Sequence, residues 1–249
     1  MRLFILPPSY QGEELWQLTG EEFHRLVHVL RKRVGDSFNA SDGRGELYYA
    51  TVERIDSRSC LLRLQHRGPL EWPFPSFILF QCLPKGKKFD QIVRQSVELG
   101  VSKIVPVVSR YSVPKWQDPE NKIKRLKRIA REAAQQSGAS EVPEIFSPFP
   151  LQEVAHVFSP NTEERLGLFF HQAPLAPTYL HRYLSVARKE IALVIGPEGG
   201  LAKEETEFLQ EAGFSPVYLG PKVLRTETAP IFAIAAIEII LLEKEAWKV

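Results

Sequence analysis

The sequence contains few of the residues that build covalent or metal-bound scaffolds. Its 249 residues include two cysteines and six histidines, and none of them shows the ligand spacing of a zinc site. The two cysteines, Cys60 and Cys82, stand alone and do not form the pattern of a disulfide framework. We therefore expect no metal site, no disulfides, and a reducing compartment such as the cytoplasm.

Long apolar runs are also missing. Four apolar residues precede the first proline pair, which is too few for the core of a signal peptide. The longest apolar stretch, residues 229–242, is interrupted by Pro230 and Glu238 and is shorter than the roughly 20 residues of a membrane span. We expect neither export nor a membrane anchor, and we interpret the stretch as a buried helix.

The net charge of +2 is distributed unevenly along the chain. Residues 73–131 hold 13 Lys and Arg against 4 Asp and Glu, whereas residues 132–249 hold 9 against 16. A concentrated basic segment is typical of proteins that bind a polyanion, because Lys and Arg displace the counterions of a phosphate backbone. A solvated helix face would have the same composition, so charge alone leaves nucleic-acid binding and a plain surface helix both open.

Two patterns of hydrophobicity divide the chain. Residues 1–72 show short alternating runs around one helix, which Thr19 and Glu22 would begin as a capping box, and they predict a small β-barrel or compact sheet. Three prolines within residues 68–75 cannot continue a helix or a central strand, so we place a domain boundary there. In residues 73–249, apolar runs alternate with amphipathic helices, as in a mostly parallel α/β sheet.

Two loops near the C-terminal end contain the polar residues best placed for chemistry. The first, residues 196–200, reads GPEGG and follows an apolar strand pattern, and the second, residues 219–229, leads into the apolar helix. Ligands of open α/β sheets bind at the carboxyl ends of strands, and glycine lets the backbone approach them closely. The first loop is neither a P-loop nor a dinucleotide-binding turn. Both loops are therefore candidate ligand sites of another kind.

Each loop also has a purely structural interpretation. A glycine turn between a strand and a helix would explain the first loop. In the second loop, Thr228 would cap the apolar helix, and Arg225 and Glu227 would form an ion pair. These alternatives stay open on the residues alone.

Taken together, the two segments closely resemble a known enzyme family. The sequences LVIGPEGG at 193–200 and LGPKVLRTETA at 219–229 resemble the ribosomal RNA small subunit methyltransferase E family, which methylates uridine N3 and belongs to the SPOUT class. Shorter matches at 29–31 with 35–36, at 98–101 and within 129–145 precede these segments in the order typical of the family. Several spaced motifs in the right order are more specific than either loop alone.

Three positions depart from the family pattern. Arg25 stands where the family commonly has His, Gln95 where it has Lys, and Ala139 where it has Arg. These positions are expected RNA contacts, so the departures bear on the target site more than on the reaction.

The resemblance implies an α/β fold: a knotted SPOUT (trefoil-knot) parallel-sheet domain at 73–249, preceded by a small PUA-like β-barrel domain at 1–72 that binds RNA. It implies a homodimer with active sites at the subunit interface. The implied reaction is methylation of N3 of a specific uridine in 16S ribosomal RNA, free or in the small subunit. S-adenosylmethionine is the implied cofactor, and neither a metal nor a membrane is involved.

The resemblance also assigns roles to particular residues. The implied cofactor-binding residues are Phe170, Gly196, Gly199, Gly200, Leu219, Gly220, Leu224, Thr226 and Thr228. The implied catalytic residues are Arg225 and Glu227; Arg225 would stabilise the negative charge that forms on uracil when N3 loses its proton. Glu198 and Glu227 are the nearest candidates for the base. The expected RNA contacts are Arg25, Arg31, Lys85, Lys88, Arg94, Lys124 and Arg128.

Two alternatives remain beside this hypothesis. A related knotted enzyme would methylate a ribose 2′-hydroxyl, and a non-catalytic ribosome assembly factor would keep the loops only as structure. Product analysis separates the first, and a failure to bind S-adenosylmethionine would favour the second.

Overall fold

The chain forms two compact units. The structure, a computed structural model, describes residues 3–70, 74–113, 116–160, 162–173, 175 and 177–246. Its contacts group Met1–Glu71 with Arg131–Val142, and Trp72–Ala130 with Pro143–Val249. The predicted boundary at residues 72 and 73 lies outside the described residues. The inclusion of Arg131–Val142 in the first unit was not predicted, because a helix pattern does not reveal which core each of its turns joins.

The first unit is a β-sheet with one short helical segment. Its strands are β1 (Phe4–Ile5), β2 (Leu15–Thr19), β3 (Ser37–Ser41), β4 (Glu46–Ile55) and β5 (Ser59–Pro69), and its helix α1 (Gly20–His24) continues as the π-helical segment Arg25–Val29. The sheet order is β1-β3-β4-β5-β2, and every pair is antiparallel except β1 with β3. On β5, Cys60, Leu62 and Leu64 point into a core that also holds Phe4 and Leu26, as the alternating pattern predicted.

The predicted capping box at the start of α1 is wrong. Thr19 precedes the helix, but its side chain caps no backbone group. The Glu22 carboxylate instead accepts a hydrogen bond from Arg131 Nε at 3.1 Å, and the Arg131 guanidinium also donates to the carbonyls of Ile5 and Leu6. A guanidinium that binds two carbonyls and a carboxylate offers Glu22 a stronger partner than one backbone N–H would.

The second unit is a parallel sheet with helices between its strands. The strands are β6 (Ser76–Cys82), β7 (Val101–Val108), β8 (Glu144–Ile145), β9 (Phe149–Pro150), β10 (Arg165–Phe170), β11 (Glu190–Ile195) and β12 (Ser215–Val217). The helices are α2 (Lys88–Glu98), α3 (Pro119–Ser137, whose end joins the first unit), α4 (Val154–Val157), α5 (Leu180–Tyr183), α6 (Lys203–Glu211) and α7 (Ala229–Ala246). The order is β12-β10-β11-β6-β7-β8, with β9 beside β7, and all pairs are parallel. The predicted α/β class with a parallel sheet is confirmed.

Hydrophobic periodicity explains the elements of this unit. Strands β6 and β11 are buried on both faces, as continuous apolar runs predict for central parallel strands. In α2, Phe89, Ile92, Val93 and Val97 recur at helical spacing and are all buried. In α7 only one face is buried, so its interpretation as a buried helix holds for that face alone. No helix in the described part of the chain is long and apolar enough to cross a membrane.

Four neighbouring strands end at the same level of the sheet. Phe170 of β10 pairs with Ile195 of β11 and with Val217 of β12, and Ile195 pairs with Gln81 of β6. Because these strands are parallel, the loops that follow them leave from one edge. The register therefore gathers both candidate loops in one place. The trefoil knot that the resemblance implies stays a prediction, since strand order does not describe threading.

Candidate active site

A pocket lies at this edge of the sheet. It encloses about 640 Å³, including its open mouth, and is built by the segments that follow β10, β11 and β12. Seven of the nine expected cofactor-binding residues line it: Phe170, Gly196, Gly200, Leu219, Gly220, Leu224 and Thr226. The wall is mainly apolar side chain and exposed backbone, the composition of small-molecule sites in proteins.

The other two expected cofactor residues lie outside this lining. Gly199 faces Tyr111, and a Cβ atom added at Gly199 would lie 3.0 Å from Tyr111 Cβ. Thr228 is exposed, and its backbone N–H donates to the Arg225 carbonyl at 2.8 Å in the turn before α7. The glycine at 199 is thus required for the contact with Tyr111.

The glycines of the first loop form a tight turn. The Gly200 N–H donates to the Pro197 carbonyl at 2.9 Å, and Gly200 has a φ of +73°, which favours glycine. A Cβ atom at Gly196 would lie 3.2 Å from the Gly200 carbonyl carbon. Because neither position tolerates a side chain easily, the backbone itself faces the pocket.

A buried glutamine, Gln81, helps to connect the two loops by hydrogen bonds. The Gln81 side chain is fully buried at the end of β6, and its Nε2 donates to Thr226 Oγ1 at 3.2 Å and to the Cys82 carbonyl at 3.0 Å. The Thr226 hydroxyl in turn donates to the Gly196 carbonyl at 3.0 Å. Gln81, Thr226 and Gly196 therefore form a continuous chain of hydrogen bonds, which we name the buried tie.

A lysine joins the same loops at the surface. Lys88 Nζ lies 2.9 Å from Glu198 Oε1 in the first loop and 3.2 Å from Glu227 Oε2 in the second. The Lys85 backbone N–H also donates to the Glu198 carboxylate. Burial acts to raise the pKa of Glu198, but these hydrogen bonds outweigh it and hold the pKa below its ordinary value. We name the Lys88–Glu198–Glu227 cluster the surface tie.

Arg225 stands apart from both ties. Its side chain is exposed, and among the described residues its guanidinium has no hydrogen-bond or ion-pair partner. Its carbonyl accepts from the N–H groups of Thr228 and Ala229. The ion pair between Arg225 and Glu227 that the structural alternative required is not formed, because Glu227 pairs with Lys88. The guanidinium is therefore available to a ligand.

The pocket contains residues that the sequence did not single out. His171 and Gln172 follow Phe170 and line the wall, and Gln81 donates a hydrogen bond to Thr226 of that wall. His171 Nδ1 accepts the Ala173 N–H at 3.1 Å, which assigns the ring proton of a neutral His171 to Nε2. One signal existed for the first two, since polar residues directly follow a buried strand. For Gln81 there was no comparable signal, because its partner is 145 positions away.

The seven expected RNA contacts are dispersed. In the first unit, Arg25 is half-buried in the π-helical segment, and Arg31 is exposed with a φ of +56°. In the second unit, Lys85, Arg94, Lys124 and Arg128 are exposed, and Lys88 belongs to the surface tie. Of these, the structure brings together Lys85 and Lys88, which both meet Glu198.

Part of the basic charge of α3 stabilises the fold. The Asp90 carboxylate on α2 lies 2.5 Å from Arg125 and 3.5 Å from Lys122, both on α3. The basic segment that suggested a polyanion thus has two kinds of residue: those that pair with Asp90 and hold α2 against α3, and others, such as the exposed Lys124, that do not contact Asp90.

The described residues contain no set of metal-ligating side chains. Among them, no group of three or more His, Cys, Asp or Glu side chains could hold a metal ion. Cys60 and Cys82 are free and buried, and burial raises the pKa of their thiols to about 11 and about 12.

Comparison with known proteins defines the class. The RNA methyltransferase domain family matches residues 70–238, and the RNA methyltransferase PUA domain family matches residues 18–65. Ribosomal RNA small subunit methyltransferase E of Synechocystis sp. is 32% identical over 238 residues, which cover 95% of this chain and 77% of the relative. That of Bacillus subtilis is 32% identical over 247 residues and covers 95% of both chains.

A solved structure gives the same result. The crystal structure of a ribosomal RNA small subunit methyltransferase E from Neisseria gonorrhoeae bound to S-adenosyl methionine has a TM-score of 0.82 and 28% identity, covering 96% of this chain and 98% of that one. The chain belongs to the ribosomal RNA small subunit methyltransferase E family. The resemblance drawn from the two loops, the enzyme class and the N-terminal PUA domain are thereby confirmed.

Proposed function

We propose that this protein uses S-adenosylmethionine to methylate N3 of a specific uridine in 16S ribosomal RNA. The observation that carries the proposal is the pocket, in which seven residues expected to bind the cofactor converge from three strand ends. The family supplies the substrate class, since the relatives are named as methyltransferases of small-subunit ribosomal RNA.

The pocket fits the cofactor by the chemistry of its wall. Phe170, Leu219 and Leu224 provide apolar surface suited to an adenine ring, and the bare backbone at Gly196 and Gly220 provides groups that can hydrogen-bond to its edges. When bound, S-adenosylmethionine supplies an electrophilic methyl group. The role of the protein is then to bind uridine beside it and to manage one proton.

Uridine N3 holds a proton at neutral pH, so a group in the protein must accept it. Glu198 accepts hydrogen bonds from Lys85 and Lys88, and its lowered pKa makes it a weak base. Glu227 Oε2 is buried and forms the ion pair with Lys88 at 3.2 Å, but it lacks the backbone hydrogen bond that Glu198 accepts from Lys85. We therefore assign proton acceptance to Glu227 and a supporting role to Glu198.

Two variants separate these assignments. Glu227→Gln should lower kcat by about 100-fold or more, because general-base catalysis typically contributes about 10²- to 10⁴-fold. Glu198→Gln should lower kcat much less. Near-normal kcat in Glu227→Gln would contradict the assignment.

Loss of the N3 proton leaves negative charge on the uracil ring, spread toward O2 and O4. The Arg225 guanidinium is exposed and unpaired among the described residues, so it can bind that charge. Once bound RNA covers the site and excludes water, a cation placed against the ring stabilises such charge most in the transition state. The base must leave its stack to reach the pocket.

The remaining assignments concern binding and assembly. We propose that residues 1–72 act as a PUA-like RNA-binding domain and 73–249 as a knotted SPOUT domain, with Arg25, Arg31, Arg94, Lys124 and Arg128 holding phosphates. The ribosomal substrate of the relatives supports action in the cytoplasm.

We also propose a homodimer, supported by the exposed Phe232, Ile239 and Leu242 on α7. Light scattering would measure the mass.

The decisive experiment uses small ribosomal subunits that lack the modification. Purified protein and S-adenosylmethionine are added, the nucleosides are identified by mass spectrometry, and the site is mapped by reverse transcription, which N3 methylation blocks. We expect 3-methyluridine at one position. A 2′-O-methyl product would replace the proposal with ribose methylation, and no product with intact subunits would favour a non-catalytic assembly factor.

A further inference from the structure

We propose that a hollow beside the cofactor pocket binds one unpaired nucleotide of the RNA, next to the methylated base, by stacking it on Tyr111. The proposal rests on the proposed function for the identity of the substrate. The hollow encloses about 720 Å³, including its open side, and is lined by Lys85, Arg110, Tyr111 and, from the first loop, Glu198 and Gly199. Glu198 also lines the cofactor pocket, so the two sites share a wall.

Tyr111 presents an exposed ring on a fixed backbone. The side chain is 45% exposed although it lies in a tight turn, in which the Ser112 N–H donates to the Ser109 carbonyl and the Ser109 N–H donates to Ser112 Oγ. The Arg110 N–H donates to Glu205 Oε1 at 2.7 Å, which fastens the turn to α6. Because the backbone that carries the ring is fixed, little freedom of the turn is lost when a base stacks on the ring.

The contact with Gly199 couples this ring to the first loop. Any side chain at position 199 would meet Tyr111 Cβ at 3.0 Å, so the glycine permits the ring to lie against the loop. A base stacked on Tyr111 would therefore lie beside the backbone that forms the cofactor pocket. This proximity indicates a nucleotide adjacent to the target and not a distant one.

The charges around the ring suit a nucleotide. The Lys85 ammonium is exposed and has no partner among the described residues, because the link from Lys85 to Glu198 uses its backbone N–H. The Arg110 guanidinium lies 6.0 Å from the Tyr111 ring centroid and 3.1 Å from Glu204. The negative charge of Glu198 is offset by Lys88. An aromatic face beside a free ammonium is the combination that holds a base and its phosphate.

Stacking accepts every base, so this site should position the RNA and not read its sequence. It would hold the strand on one side of the flipped uridine and keep the target base over the pocket. Affinity for RNA should then depend on Tyr111, whereas affinity for S-adenosylmethionine should not.

The test compares Tyr111→Ala and Tyr111→Phe with Tyr179→Ala. Tyr179 is a matched control, because it is a more exposed tyrosine of the same unit that stacks on His181 and lines neither the cofactor pocket nor the hollow. Dissociation constants are measured for unmodified small subunits by filter binding and for S-adenosylmethionine by calorimetry. Tyr111→Ala should weaken subunit binding roughly 5- to 150-fold with unchanged cofactor affinity, while the other two variants stay near wild type.

The charge component is tested with Lys85→Ala. It should lower the slope of log affinity against log salt concentration by about one, as expected for the loss of one phosphate contact. An unchanged slope would remove Lys85 from the proposed site.

Two results would overturn the stacking site: normal subunit binding by Tyr111→Ala, or an equal loss of cofactor affinity, which would make Tyr111 only a support of the first loop. The binding measurement needs no turnover. If the wild-type protein binds subunits but produces no 3-methyluridine, the proposed function fails while the stacking site is still judged on binding.

Discussion

The two ties join the same pair of loops by different physical means. The buried tie uses neutral groups, Gln81 and Thr226, in a fully enclosed environment, where a hydrogen bond is strong and a missing partner is costly. The surface tie uses the charges of Lys88, Glu198 and Glu227, whose side chains are 35%, 27% and 13% exposed. Water and salt weaken such pairs. The buried tie should therefore set the geometry of the pocket, and the surface tie should mainly set its charge.

Apart from Glu227, the proposed base, the largest effect should come from a residue that belongs to neither tie. Arg225→Ala should lower kcat by about 100- to 1000-fold, the typical loss when one group that stabilises developing charge is removed. The melting temperature and the affinity for S-adenosylmethionine should stay near wild type, because the Arg225 side chain has no partner in the described structure. Arg182→Ala, at another exposed arginine of this unit, is the control. Near-normal turnover would contradict the catalytic role.

The next largest effect should come from breaking the buried tie. Gln81→Leu removes the donor to Thr226 and should weaken S-adenosylmethionine binding by about 10- to 100-fold, since a buried group left unsatisfied costs about 1–3 kcal/mol. Gln135→Leu is the matched control, because Gln135 is equally buried but no described partner satisfies its side-chain amide.

A double-mutant cycle of Gln81→Leu with Thr226→Val sharpens this test. The two losses in cofactor affinity should be far from additive if the side chains act through one hydrogen bond. Additive losses would mean that Gln81 only fills space, and Gln81 would then not position the second loop.

The carboxyl of Glu238, which belongs to neither tie, should make the folded protein less stable as the pH rises. Glu238 on α7 has no hydrogen bond or ion pair among the described residues, and burial raises its pKa from 4.5 to about 7. The folded state therefore binds the proton more tightly than the unfolded state, and stability falls as pH rises through that window. Glu238→Gln should remove about 1 to 2 kcal/mol of this fall, after allowance for solvent screening.

Urea unfolding at pH 5 and pH 8 measures the effect. The stability difference between Glu238→Gln and wild type should grow in favour of the variant toward pH 8. Glu243→Gln, on an exposed position of the same helix, should show no such trend. A constant difference for Glu238→Gln would show that its carboxyl is normally solvated.

The smallest effect should come from breaking the surface tie. Lys88→Met should weaken cofactor binding by no more than about fivefold, because partly exposed ion pairs contribute little. In Lys88→Met the pKa of Glu198 should rise. In the wild type this pKa is lowered in the folded state, so the contribution of the tie to stability is present above pH 4.5 and is lost as pH falls through the lowered pKa. Lys203→Met, which breaks a pair with Glu207 at 3.6 Å, is the control.

The same variant tests the expectation that Lys88 contacts RNA. A phosphate contact would make the salt dependence of subunit binding less steep by about one unit of slope, whereas a tie would leave it unchanged. A changed slope with normal cofactor affinity would overturn the role of Lys88 as a tie.

The sequence predicts well those elements that depend on one hydrophobic pattern. The alternation of apolar runs and amphipathic helices predicted for residues 73–249 is present in the structure, because these strands and helices bury regular apolar faces. Strand β2 alternates in burial but not in hydrophobicity, because the apolar Leu15 lies on its exposed side with Gln17. The capping box failed because Arg131, remote in sequence, competes for Glu22.

The candidate site was likewise predicted only in part. Its loops were predicted because glycines and polar residues follow buried strands, and the family resemblance supplied the residue roles. The ties were not predicted, because the type of a residue does not indicate which residue it will contact. In the sequence, Gln81 is a residue near the end of an apolar strand, and Lys88 is one of many basic residues. Tertiary hydrogen bonds and ion pairs connect positions that no local pattern links.

The burial of both cysteines has a practical consequence. Cys60 and Cys82 are inaccessible and their thiols remain protonated at neutral pH, so a maleimide dye should leave them unmodified. A single cysteine introduced at Val223, a strongly exposed position on the pocket rim, could then be labelled in the otherwise native chain. A fluorophore there would follow the second loop in real time as cofactor and ribosomal subunits are mixed with the protein.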